Sequence, residues 1–267
     1  MAFPHTERGG GGSPGGGRAC GFPRGAFHVD ALLELKEVWA AYPGGRGAAL
    51  RGASLRLPKG SLGLLIGPNG AGKTTILEVL LGFVPYQGEA KAFGLEVRDH
   101  PREVRRRLAY MPQALFFPPD TPCRTLDLVV MGRFGLFRPW RRLPRKERER
   151  ALAALEHVGL AEKADWPLGH LSGGQQRKAL LARALAKGAE ALLLDEPFAS
   201  LDPEARLDLA QAILGLRKEG FTILAVVHEE ELLSQADRVW FVREGRVTPL
   251  SPPFSRLAEA WASLCGR

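Results

Sequence analysis

At 267 residues, with 45% hydrophobic and 25% charged residues, the chain is long enough to bury a core and form one or two compact domains. Three cysteines standing far apart (Cys20, Cys123, Cys265) exclude a disulfide scaffold, argue against a zinc site and suit a reducing compartment. The net charge of +8 could suit a nucleic-acid partner, but residues 133–150 alone hold eight Arg or Lys against two Glu, a run that fits a solvated basic surface better than a binding patch.

Spanning a membrane takes about 18 or more nearly uncharged apolar residues. The longest apolar runs here, at 191–194 and 221–227, are far shorter, and no signal-peptide core opens the chain. The expectation is a chain that neither crosses a membrane nor is exported. Residues 1–30, with glycine runs at 9–12 and 15–17 around Ser13 and Pro14, cannot bury enough apolar surface to order and read as a flexible tail.

From Leu32 the pattern changes. Leu33, Leu35 and Val38 start a strand, 50–57 alternates like a half-buried strand, and 61–66 is a short apolar strand stopping at Gly67. A helical run at 75–81 follows, then strands at 91–93 and 108–111. Pro144 fits the first turn of a helix that runs through Leu152, Leu155 and Val158 to Gly159. Ser172 opens another helix, residues 191–194 and 222–227 read as buried parallel strands, and 239–242 with 246–248 form a closing hairpin around Gly245. Alternating strands and helices predict an α/β fold with helices on both faces of the sheet.

Three motifs carry chemistry. Gly67, Pro68, Asn69, Gly70, Ala71, Gly72, Lys73 and Thr74 spell GxxxxGK[ST] between a strand and a helix. Glycines let backbone N–H groups converge on phosphates, and the helix offers its positive end to the same anion. Lys73 is expected to reach the β- and γ-phosphates of ATP, and the Thr74 hydroxyl to ligate Mg²⁺. Asp195 and Glu196 end an apolar strand, where acids can share a crevice with the loop. Asp195 would hold Mg²⁺ and Glu196 would polarise the attacking water. Leu171, Ser172, Gly173, Gly174 and Gln175 stand at a helix start with Ser172 as N-cap. This second anion site lacks its own lysine, so it makes sense as a cover for ATP held by another subunit.

These motifs together resemble the ATP-binding cassette (ABC) family over about residues 32–250. The resemblance implies a P-loop NTPase fold: a RecA-like core sheet, an antiparallel β subdomain and an α-helical subdomain at about 114–187. The cassette would span 31–250, with a C-terminal tail or helix at 251–267. It further implies that Tyr42 stacks on adenine, that Thr75 lies in the nucleotide site, and that Gln113 senses Mg²⁺. Asp202, in Ser200-Leu-Asp202, would touch the opposite monomer's site, and His228 would meet the γ-phosphate. Val227, Glu229 and Lys178 depart from the commonest residues without removing a catalytic group. The segment 125–135 and Asp195-Glu-Pro-Phe198 are similar to ATPases of zinc and manganese importers; iron-siderophore and cobalamin importers share part of this pattern.

The implied protein hydrolyses ATP as a head-to-tail pair and is held at the cytoplasmic face of the membrane by an integral permease, with a substrate-binding protein as a further partner. Phe116, Phe117, Phe134, Phe137 and Trp140 are candidates either for the permease groove or for the core of the helical subdomain. A soluble family member acting on ribosomes or DNA fits less well, because such proteins usually carry two cassettes or a long coiled-coil insertion. No nucleic-acid partner is expected.

Overall fold

The computed structural model describes residues 31–45, 47–113, 117–133, 144–228, 232–252 and 254. The expected tail at 1–30, most of the C-terminal segment, Glu229, and Phe116, Phe134, Phe137 and Trp140 lie outside them.

Four strands, β1 (Leu33–Ala40), β2 (Leu50–Leu57), β4 (Tyr86–Ala92) and β5 (Leu95–Glu96), form an antiparallel sheet in the order β2-β1-β4-β5. The second sheet runs β10-β9-β3-β8-β7-β6, built from β3 (Leu62–Ile66), β6 (Leu108–Met111), β7 (Ala191–Asp195), β8 (Thr222–Val226), β9 (Arg238–Arg243) and β10 (Arg246–Leu250). All its neighbours are parallel except the β9–β10 hairpin, which turns through Glu244 and Gly245, both at positive φ. The helices are α1 (Lys73–Leu80), α2 (Pro101–Arg107), α3 (Thr125–Met131), α4 (Arg145–His157), α5 (Gly173–Ala186) and α6 (Pro203–Lys218).

Every residue of β3, β7 and β8 is buried, and side-chain alternation divides them between two cores. Leu62, Leu64, Ile66, Leu192, Leu194, Ile223 and Ala225 meet Leu126 of α3, Leu155 of α4, Leu180 of α5 and Ile213 of α6. Leu65, Leu193, Leu224 and Val226 point the other way, onto Ile76, Leu77 and Leu80 of α1, Val104 of α2 and the antiparallel sheet. Helices therefore cover both faces, and on one face they share the cover with a sheet. Each fully buried Leu, Ile or Val contributes about 1.5–3 kcal/mol, so these three strands fix the frame on which everything else is hung.

Some elements differ from expectation. Helix α1 starts at Lys73, so the lysine belongs to its first turn. Strand β4 begins five residues before the expected 91, because Gln87, Gly88 and Glu89 are exposed and dilute its apolar signal. Pro144 is the residue before α4 rather than part of its first turn. Phe117 is half-buried against the helical core, one of the two placements expected for it.

Candidate active site

The parallel strands end on one side of the sheet, and each end delivers a motif. In spatial order, β3 is followed by the Gly67–Thr74 loop, β8 by His228, β7 by Asp195 and Glu196, and β6 by Gln113. Sequence separations of more than a hundred residues thus collapse into a row.

The loop is shaped by close approach. A Cβ on Gly67 (φ 143°) would lie 2.0 Å from the Val242 carbonyl oxygen of the neighbouring strand, so only glycine fits there. Gly70 (φ 74°), exposed at the tip beside Asn69, has nothing within 4 Å of a Cβ and leaves open space above its backbone. Lys73 is buried, and its Nζ donates to the carbonyls of Gly67 (2.7 Å) and Pro68 (2.9 Å), curling over the loop it would share with a phosphate. A lysine curled onto loop carbonyls, amides around an open cradle and a helix start together fit a polyphosphate.

Asp195 is 1% exposed. Its Oδ1 accepts from the Thr74 hydroxyl at 3.2 Å and its Oδ2 from the Tyr110 hydroxyl at 3.3 Å. Burial pushes its pKa up; the two donated hydrogen bonds oppose this, and the charges of Glu196 and Glu78 reinforce it. A buried carboxylate beside a threonine hydroxyl, with hydroxyls but no ion-pair partner among the described residues, is a hard-oxygen donor set that fits Mg²⁺.

Glu196 forms a second cluster. Its Oε1 lies 2.9 Å from His228 Nε2, and its Oε2 accepts from Gln113 Nε2 at 2.5 Å. Glu196 sits at φ 47°, a conformation that costs a non-glycine residue of order 1–3 kcal/mol. Its N–H donates to the Val226 carbonyl of β8, which holds the strained turn in place. Gln113 therefore joins the water-polarising candidate, not the Thr74–Asp195 pair. Its backbone is fixed from α5, where the buried Arg177 donates to the carbonyls of Pro112 (3.3 Å) and Gln113 (2.9 Å).

Tyr42 remains exposed, but its hydroxyl is engaged: it donates to Glu78 and receives the Thr75 hydroxyl at 3.1 Å. This network leans Tyr42 on α1, next to the loop.

The Leu171–Gln175 element lies apart, at the start of α5. Ser172 and Gln175 close a capping box: the Gln175 N–H donates to Ser172 Oγ at 3.3 Å, and the Ser172 N–H to Gln175 Oε1 at 3.1 Å. Leu171 is buried, whereas Ser172 and Gly173 are exposed. Gly174 is glycine because a Cβ there would meet the Ala205 Cβ at 2.9 Å, where the start of α6 crosses. Asp202 caps that second helix, accepting from the Ala205 N–H at 2.9 Å. Lys178 ties the two helices through Asp208 at 2.5 Å.

Two residues of this region carry no sequence motif of their own. Gln176, buried, reads the backbone of Phe117 from both sides, taking its N–H and giving to its carbonyl, and also donates to the carbonyls of Leu168 and Leu171. Tyr110 holds Asp195 from the adjacent strand.

The ABC transporter family profile matches residues 50–199, more than half of the chain. The chain belongs to the ABC transporter family. The manganese transport system ATP-binding protein MntB of Bacillus subtilis is 37% identical over 198 residues, 74% of this chain and 77% of that one. A probable metal transport system ATP-binding protein of Chlamydia muridarum is 40% identical over 174 residues, 65% and 66% of the two chains. The zinc transport system ATP-binding protein TroB of Treponema pallidum is 37% identical, covering 69% of each. Among solved structures, a dimeric bacterial ABC transporter cassette aligns with a TM-score of 0.70 at 25% identity, over 83% of this chain and all of that one. A cassette in its ADP conformation aligns at 0.73 and 26% identity, over 82% and 90%. The fold and the ATPase class expected from the sequence are thereby established.

Proposed function

We propose that this ABC ATPase works as a head-to-tail pair that powers import of a divalent metal ion such as zinc or manganese through a membrane permease. The observation that carries the pairing is the division of the motifs. Lys73, Asp195, Glu196, Gln113 and His228 gather at one set of strand ends, while Ser172, Gly173 and Asp202 gather at two helix starts with exposed surfaces. Each group supplies what the other lacks. The dimeric cassette with the same fold supports this geometry. The metal cargo rests on what the relatives are named for.

Chemically, Lys73 exchanges its two carbonyl partners for phosphate oxygens of ATP, and the loop amides take the rest of the charge. The Thr74 hydroxyl and Asp195 would hold Mg²⁺, which when bound neutralises phosphate charge. Glu196 accepts the proton as a water oxygen forms its bond to the γ-phosphorus and the bond to the leaving ADP oxygen breaks. His228 keeps the Glu196 carboxylate aimed, and Gln113 occupies its other oxygen until water is admitted. Among the described residues no helix is long and apolar enough to cross a membrane, so contact with the bilayer would run through the permease, at its cytoplasmic face. A substrate-binding protein would deliver the cargo on the far side.

Activity against protein concentration tests the pairing. The rate per chain should rise with concentration, and Ser172→Arg should abolish hydrolysis while single chains still bind ATP. A constant rate per chain on dilution, or full activity in Ser172→Arg, contradicts the pair. For cargo, cells lacking this chain should lose uptake of labelled zinc or manganese.

A further inference from the structure

Tyr110 occupies an odd position. It lies inside β6, half-buried, and its ring helps wall a cleft of about 310 Å³ with Leu81, Phe83, Arg105, Pro112 and Lys187. Its hydroxyl donates to Asp195 Oδ2 on the neighbouring strand β7 at 3.3 Å. The described residues give that hydroxyl one acceptor, Asp195. A strand tyrosine used only for packing would do as well as phenylalanine. Here the hydroxyl takes one carboxylate oxygen while Thr74 takes the other, so each oxygen of the carboxylate has its own donor and the pair favours one orientation.

We infer that Tyr110 is a positioning residue for the divalent cation: its hydroxyl occupies Asp195 Oδ2 so that Oδ1 is left turned toward Thr74, the pair that would hold Mg²⁺. Without that bond Oδ2 is a buried acceptor lacking its donor, and the carboxylate is free to turn toward any other donor in reach. The inference rests on the assignment of Asp195 as the cation-holding carboxylate.

The test uses the full chain carrying Glu196→Gln, so that nucleotide is bound but not turned over. A fluorescent ATP analogue is titrated with Mg²⁺ and again in EDTA, and binding of Mn²⁺ to the ADP-loaded protein is followed by its electron paramagnetic signal. Tyr110→Phe should leave affinity in EDTA unchanged, and weaken both the Mg²⁺-dependent gain and Mn²⁺ binding by about tenfold, as removal of a ligand's hydrogen-bond partner does elsewhere. An unchanged Mg²⁺-dependent gain overturns the role of Tyr110. So does an equal loss with and without metal, which would mark the hydroxyl as structural. Asp195→Asn separates the two levels: if it abolishes the gain and Tyr110→Phe does not, the tyrosine assignment alone fails. If Asp195→Asn keeps the gain, the assignment of the carboxylate falls and the inference with it.

Discussion

The strand-end cluster and the paired helix starts satisfy their polar groups in opposite ways. At the strand ends the functional candidates bind one another across long stretches of chain: Thr74 to Asp195, Gln113 and His228 to Glu196. At the helix starts each residue is satisfied by its own helix, Ser172 with Gln175 and Asp202 with Ala205. The first arrangement is a set of reactive groups holding each other in readiness, and a substrate must displace those contacts. The second is finished as structure and has spare amides and surface to lend. A substitution in the first should therefore hurt chemistry before folding, and in the second folding as well as chemistry.

The sharpest break should come at Glu196. Glu196→Gln keeps the shape and loses the proton acceptor, and general-base removal typically costs 10²–10⁴-fold in rate. Steady-state hydrolysis should fall by about that much, with ATP binding retained and an ATP-dependent dimer accumulating on gel filtration. Turnover at the parent rate would remove Glu196 from the chemistry.

Next in size is Lys73→Ala. Losing a charge-assisted contact of about 1.5–3 kcal/mol should weaken ATP binding roughly 10–100-fold in a calorimetric titration, with little change in melting temperature. Undiminished affinity would mean the lysine never leaves its carbonyl partners.

Ser172→Ala probes the other region. Loss of an N-cap costs about 1 kcal/mol, so the melting temperature should drop by about 2–4 °C while ATP affinity of the single chain stays constant. If stability is untouched, the contrast between the two regions is wrong.

The smallest effect concerns Lys187. Burial, then the nearby charges of Arg183 and Arg105, hold its pKa down at about 8, against 10.5 for an ordinary lysine. The folded state thus sheds this proton before the unfolded state does. The penalty is fully present below pH 8, and stability contributed by this site rises between pH 8 and 10.5, where the unfolded chain binds more protons. Lys187→Met should flatten that rise in melting temperature; an unchanged profile would show that the ammonium is well solvated.

The strands 62–66, 191–195 and 222–226 could be read from sequence because burial on both faces leaves unbroken apolar runs. The motifs could be read because phosphate chemistry demands particular residues at fixed spacing. Helix α6 has weaker sequence signals: Asp202 as cap, Pro203 in the first turn, and Leu209, Ile213 and Leu216 on one face. The motif around Asp202 points to an intersubunit role, which masks its capping role. Pairings such as Gln113 with Glu196 follow from β6 lying beside β7, and adjacency of strands is not written in either segment. Tyr110 is hidden for the same reason, since a tyrosine within a short apolar strand looks like packing until the neighbouring strand is known.

Gln176 has a mechanical consequence. Because its one amide grips Phe117 by both backbone groups and also holds the carbonyls of Leu168 and Leu171, the chain just past Gln113 and the approach to Ser172 are yoked at a single point. Moving residue 117 away from α5 would break the two bonds to its backbone, made by the same amide that supports the carbonyl of Leu171 beside the exposed start of α5.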